Sequence, residues 1–201
     1  MKKLLLVIWA VLLLQVGVAG AQSIRLRLPD TTALVGSSFL MPVYVDSSLT
    51  GLNVLSYQIQ LNYAGSQLLA DSLVTTGTLS ANTSPIANFG GAGLVTVAAA
   101  TATPLTGTGV LFYVRFRVIS NTGGYNSTIS FGTSANTFLN QGSPALTFRN
   151  GNVTVPSLPF INVSISSQTM VVGDTLQASA SGGLPPYSWR LSDSTRGSIQ
   201  S

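Results

Sequence analysis

The chain has 201 residues, 45% of them hydrophobic and 7% charged, with nine Lys or Arg, five Asp and no His, Cys or Glu. Without His or Cys there is no ordinary proton shuttle near neutral pH, no thiolate, no disulfide and none of the usual nitrogen and sulfur ligands of zinc. The acids Asp30, Asp46, Asp71, Asp174 and Asp193 stand at least sixteen residues apart, which excludes a local calcium loop of clustered carboxylates, so binding or structure ranks ahead of catalysis and no cofactor or metal is expected.

In chain order, Lys2 and Lys3 precede an apolar run from Leu4 to Leu14, and Ala19-Gly20-Ala21 supplies a small-residue cleavage pattern. Residues 1–21 therefore read as a secretory signal peptide, and the product as secreted or displayed at the cell surface. The run is shorter than the roughly 20 apolar residues of a membrane span, and no later segment could insert after cleavage. Residues 22–201 carry seven Arg and five Asp, with no clustered basic stripe of the kind nucleic-acid binding requires.

The remaining chain is rich in Thr, Ser, Val, Gly and Asn, and its apolar pattern has a period of two, which predicts an all-β protein. The first strands are Ile24 to Leu28 and Phe39 to Val45, the second with Phe39, Met41, Val43 and Val45 inward and with Pro42 demanding an edge or a bulge. From Val54 to Tyr63, inward Leu55, Tyr57, Ile59, Leu61 and Tyr63 alternate with Ser56, Gln58, Gln60 and Asn62. Leu73 to Thr76 and Leu94 to Ala100 follow. From Val110 to Val118 the odd positions, Leu111, Tyr113, Arg115 and Arg117, face away from Val110, Phe112, Val114, Phe116 and Val118. Thr128 to Phe131, Thr137 to Asn140, Leu146 to Arg149 and Val153 to Val155 complete the set. Turns are expected at Pro29-Asp30, Gly90-Gly91, Gly107-Thr108-Gly109, Gly123-Gly124 and Asn150-Gly151, the last as a two-residue hairpin. About nine or ten short strands over residues 22–155 predict a β-sandwich or jelly roll, long enough for a core without disulfides.

Residues 156–160 form a proline-punctuated linker. Beyond it Ile161, Val163 and Ile165 alternate as a strand, Gly173-Asp174 turns, and Leu176, Ala178 and Ala180 form a second strand. The following Gly182-Gly183-Leu184-Pro185-Pro186-Tyr187-Ser188-Trp189 resembles the opening of bacterial immunoglobulin-like repeats, which implies that residues 161–201 are the truncated start of such a domain, with Trp189 in its core.

The order of motifs in the first unit resembles that of a cohesin domain. Val35 to Val45 is similar to the family's opening strand ending in apolar-Pro-Val, here Met41-Pro42-Val43; Leu55 to Tyr63 followed by Leu68-Leu69 resembles its alternating strand and apolar pair. Gly93 to Ala100 is similar to its central strand of small residues, Gly107 to Val118 to its Gly-x-Gly-x-Leu strand, and Asn150 to Val155 to its closing hairpin. The resemblance implies a nine-stranded jelly roll that is not catalytic and docks a dockerin, usually borne by a polysaccharide-degrading enzyme, with the calcium belonging to the dockerin. It also implies a docking face on one sheet, built partly from the strands 55–63 and 110–118. By parity that face comprises Gln58, Gln60, Asn62, Tyr113 and Arg115, with Leu111 as an apolar anchor. Tyr63-Ala64-Gly65 stands where the family has Tyr-Asp-Pro, and Gln58 where some members carry an acidic residue that contacts the dockerin.

Each feature also has a plainer meaning. Arg115 and Arg117 beside Tyr113 read either as a binding patch or as the solvated outside of an antiparallel sheet. Pro186, Tyr187 and Trp189 read as a sugar-stacking platform or as the start of a core strand, and Gly107-Thr108-Gly109, with no helix and no basic residue after it, reads as a turn. Three function classes follow: a cohesin-type docking module for a dockerin-like or other secreted protein, within an extracellular polysaccharide-degrading or surface assembly; a module binding polysaccharide directly; and an adhesin or stalk segment.

Overall fold

The computed structural model of the chain describes residues 23–91, 93–157, 161–165, 173–175, 177–181 and 188–190. The expected signal peptide, most of the linker and the Gly-Gly-Leu-Pro-Pro-Tyr segment lie outside these residues.

Strands β1 (Ile24–Arg27), β3 (Ser38–Val45), β5 (Leu68–Val74), β8 (Gly109–Val118) and β11 (Leu146–Arg149) form one sheet in the order β11-β1-β3-β8-β5. The second sheet runs β2 (Thr31–Thr32), β12 (Gly151–Val155), β9 (Tyr125–Phe131), β4 (Val54–Asn62), β7 (Leu94–Leu105), β6 (Ile86–Gly91), with the two-residue β10 (Phe138–Leu139) paired to β4 as its seventh strand. Both sheets bury one face against the other. Met41 and Val43 of β3, and Phe112, Val114 and Phe116 of β8, meet Ile59 and Leu61 of β4 and Val95 and Val97 of β7 in one fully buried core. Tyr57 and Phe112 stack across the sheets with ring centroids 5.9 Å apart, and Tyr63 meets Phe116 edge-on at 5.1 Å. Each such aliphatic or aromatic side chain stabilises the fold by about 1.5 to 3 kcal/mol relative to exposure.

Residues 24–155 hold twelve strand segments against the nine or ten expected, the additional ones being β2 and β6. At two short junctions, β1 to β2 and β11 to β12, the chain crosses directly from the first sheet to the second. The second crossing corrects the expected Asn150-Gly151 hairpin. β11 pairs β1 in parallel in one sheet, whereas β12 pairs β9 and β2 in the other. Asn150 lends its side-chain oxygen to the Phe131 N–H at 3.1 Å. A Cβ on Gly151 would stand 2.5 Å from the Pro29 carbonyl oxygen and 2.8 Å from Leu28 Cβ, so the glycine serves the nesting of two crossing strands and not a tight turn. Asp30 fastens the crossing by accepting from Arg149 Nη2 at 3.1 Å and from the Asn152 N–H at 2.9 Å.

Pro42 meets its demand locally. β3 lies inside its sheet, but β1 reaches only Tyr44 and Val45, which leaves Pro42 with a single neighbouring strand, just before a register shift between Val43 and Tyr44. Leu55 departs from its expected core position: pairing with β7 shifts between Val54 and Ser56, so Val54 is buried and Leu55 half-buried. Gly90-Gly91, read as a turn, ends strand β6, which has no counterpart among the expected strands.

Past residue 160, β13 (Asn162–Ile165) and β14 (Ala178–Ser181) pair antiparallel with Val163 opposite Ala180, as the alternation predicts. Trp189, expected in the core of a longer unit, is 44% exposed, and among the described residues no sheet covers it.

Candidate docking faces

Because the inward residues of β4 and β8 enter the same core, the residues between them point in opposite directions. Gln58, Gln60 and Asn62 face outward from the seven-stranded sheet, whereas Tyr113, Arg115 and Arg117 face outward from the five-stranded one. The single face expected from the sequence is therefore two faces on opposite sides of the sandwich. Alternation along a strand reports which side chains share a side of that strand and carries no information about which strands share a sheet.

Leu111 leaves the set altogether. It is the extra residue of the bulge at which Val43 pairs with Phe112 and Tyr44 with Val110, so the alternation breaks and Leu111 and Phe112 are both fully buried. The turn following β5 closes over this end of β8, with Leu79 N–H donating to the Val110 carbonyl at 2.8 Å and Ser80 N–H to the Leu111 carbonyl at 3.2 Å. Leu111 cannot serve as an exposed anchor. In a bulge an extra residue upsets the two-residue period, and neither Val110 nor Leu111 signals it in the sequence.

The outer face of the seven-stranded sheet is built on β4. Gln60 Nε2 donates to Asn62 Oδ1 at 3.0 Å, Gln58 Nε2 to the Asn136 carbonyl at 3.3 Å, and Thr137 Oγ1 receives the Gln60 backbone N–H at 3.2 Å. A Cβ on Gly132 would lie 2.9 Å from Gln60 Cβ, so this glycine makes the room in which the Gln60 side chain rests. In register beside Gln60 and Gln58 stand Thr96 and Ala98 of β7, and beyond them Asn88 and Ile86 of β6. Thr128 and Ser130 of β9 extend the face on the other side. These side chains are amides, hydroxyls and small apolar groups, and none is ionisable. Ile86, 78% exposed, projects from the rim. Neither Ile86 nor Asn88 is among the residues selected from sequence, and Pro85 with a short apolar run is the only signal they offer.

The opposite face holds Arg25 and Arg27 of β1, Tyr44 of β3, Tyr113, Arg115 and Arg117 of β8, and Arg149 of β11. Arg27 is held by Asp46, with Nε 2.9 Å from Oδ2, and lies 4.3 Å from the Tyr44 ring centre. The hydrogen bond to Asp46, outweighing partial burial, raises the Arg27 pKa. Arg115 pairs with Asp71 at 2.7 Å. Asp71 reaches it as the bulged residue between Ala70 and Ser72. All five Arg of residues 24–155 thus share one outer face, and the face across the sandwich has no charge. Among the described residues no group of three potential metal ligands occurs.

The sequence of residues 24–155 matches the cohesin domain. The chain belongs to the cohesin family. Its fold is similar to that of the cohesin CaCohA2 of Clostridium acetobutylicum, in a complex with a variant of the dockerin CaDoc0917, at 20% identity and a TM-score of 0.58 over 66% of this chain and 99% of that one. It is similar also to the third ScaC cohesin of Acetivibrio cellulolyticus in complex with the ScaB dockerin, at 14% identity and a TM-score of 0.55 over 67% of this chain and 99% of that one. A non-cellulosomal cohesin of the archaeon Archaeoglobus fulgidus matches at 21% identity and a TM-score of 0.51, over 68% of this chain and 93% of that one. No curated protein sequence matches the chain. Residues 24–155 are thus a cohesin-fold module for protein–protein interaction.

Proposed function

We propose that this cohesin module is a secreted, non-catalytic docking domain that seats a dockerin-type partner on the outer face of its seven-stranded sheet. The observation that carries the choice of face is the segregation of charge. Burying the opposite face would strip water from guanidinium–carboxylate pairs that are already satisfied, a desolvation that new contacts repay only with excellent geometry. The seven-stranded face offers amide and hydroxyl donors and acceptors around small side chains, with the exposed Ile86 at its rim, and interface centres are depleted of charge in the same way. Gln58, Gln60 and Asn62 fix orientation in this reading, while Tyr113 and Arg115 take no part. The signal-like residues 1–21 support an extracellular setting, and the dockerin partners of similar cohesins support the partner class. A polysaccharide ligand is less well supported, because Tyr44 is occupied by Arg27 and residues 24–155 contain no Trp to stack on a sugar.

Titration calorimetry of the full chain against dockerin-bearing secreted proteins of the same organism tests the assignment. Ile86→Asp and Gln60→Arg are expected to weaken binding at least tenfold, and Tyr113→Ala/Arg115→Ala to leave it within about twofold. The reverse pattern, with all variants folded, would transfer the site to the other sheet.

A further inference from the structure

Of the five Arg on the charged face, four have a carboxylate within 4 Å: Arg27 and, more loosely, Arg25 share Asp46, Arg115 has Asp71 and Arg149 has Asp30. Arg117 has none among the described residues, and its side chain makes no hydrogen bond there. It is exposed and pairs in register with Ser38 on one side and Leu69 on the other. Around it the same outer face carries three large apolar side chains in water: Leu69 at 37% exposure, Leu40 at 47% and Ile119 at 42%. Leu40 is opposite Arg115 and hence diagonal to Arg117, about 7 to 8 Å away. Ile119 follows two residues after Arg117, about 7 Å along the strand direction, where its N–H bonds the Gln67 carbonyl. An uncompensated guanidinium ringed by exposed Leu and Ile combines a charge seeking a bidentate acid with an apolar rim able to exclude water from it, the arrangement that makes Arg an interface hot spot.

We propose that this end of the five-stranded sheet is a second docking site, distinct from the dockerin-type face, for an acidic peptide segment of a partner protein whose carboxylate is flanked by apolar side chains. Charge complementarity sets the acid, since among the described residues Arg117 is the one Arg of the face left without a carboxylate. The apolar rim sets the peptide: Leu40, Leu69 and Ile119 offer nothing to the hydroxyls of an acidic polysaccharide, and none of the three is aromatic. The two sites lie on opposite sides of the sandwich, so one domain would hold two partners at once.

The test is selection of a displayed random-peptide library on the full chain, with counter-selection against the Arg117→Ala variant, followed by titration of the consensus peptide. Expected are sequences with Asp or Glu between apolar residues. Their affinity should fall at least tenfold with Arg117→Ala and with Leu40→Ser/Ile119→Ser, and remain unchanged with Ile86→Asp, which belongs to the other face. Oligogalacturonate serves as a carboxylate-bearing glycan in parallel and is expected to bind at least tenfold more weakly than the peptide. Enrichment of sequences lacking an acid, equal binding by the Arg117→Ala variant with its melting temperature unchanged, or oligogalacturonate binding that ignores Leu40→Ser/Ile119→Ser would each overturn the proposal. Loss of dockerin-type binding would leave it standing, since the two faces share no residue.

Discussion

At the scale of single residues, Tyr57 shows how an ordinary core position acquires a measurable signature. Its ring is buried against Phe112, and its hydroxyl shares a 2.8 Å hydrogen bond with the buried Ser80. Burial raises its pKa, opposed in part by hydrogen bonds from Ser80 and Thr83. The folded state therefore holds the phenol proton more tightly than the unfolded chain, whose tyrosines ionise near about 10. The stability due to this difference is complete below that value and is lost as pH rises through the folded pKa. With no His or Cys to titrate, denaturant melts should vary little between about pH 6 and 9 and weaken above about pH 10. Tyr57→Phe should flatten part of the alkaline decline. A decline equally steep in that variant would place the responsible group elsewhere.

At the scale of elements, the alternation in β4 and β8 was legible because each buries one face and exposes the other, so Ile59, Leu61, Phe112 and Phe116 were found as core directly. The bulges were not legible. One extra residue inverts the pattern without changing composition, and Leu111 therefore read as an exposed position. The Asn-Gly pair at 150–151 misled for a related reason: its usual meaning is local, whereas here the glycine answers Leu28 and Pro29, more than a hundred residues earlier. Gly151→Ala should destabilise the domain by about 2 kcal/mol or more, since the methyl would meet backbone that is itself part of a crossing. Ile59→Ala and Phe116→Ala should each cost about 2 to 5 kcal/mol, and Gln60→Ala under about 1 kcal/mol. Urea melts monitored by tyrosine fluorescence rank the four, and a Gln60→Ala loss equal to that of Ile59→Ala would refute the register.

At the scale of the whole molecule, the family and the all-β sandwich could be read from the order of motifs, while the partition of strands between sheets could not. Of the six residues expected on one face, Gln58, Gln60 and Asn62 consequently lie on one side of the sandwich, Tyr113 and Arg115 on the other, and Leu111 in the core. Pairing over long sequence separations decides that partition, and here it also sorts charge: every Arg of residues 24–155 to one side, amides and hydroxyls to the other. Association through the uncharged face should change less than about threefold between about 50 and 500 mM NaCl, because no exposed ion pair is made or lost there. A steep salt dependence would implicate the Arg face in the same event.

The double crossing has a mechanical consequence. The first and last segments of the domain run side by side in the same direction twice, β1 beside β11 and then β2 beside β12. Opposed pulls on Ile24 and Val155 would slide these neighbours past one another. The bonds from Ile24 N–H to the Ala145 carbonyl, Leu28 N–H to the Arg149 carbonyl and Ala33 N–H to the Thr154 carbonyl would then bear the load together in shear, and not open one after another like a zip. A domain strung between a moving partner and a fixed support would hold under tension until the whole clasp yields at once.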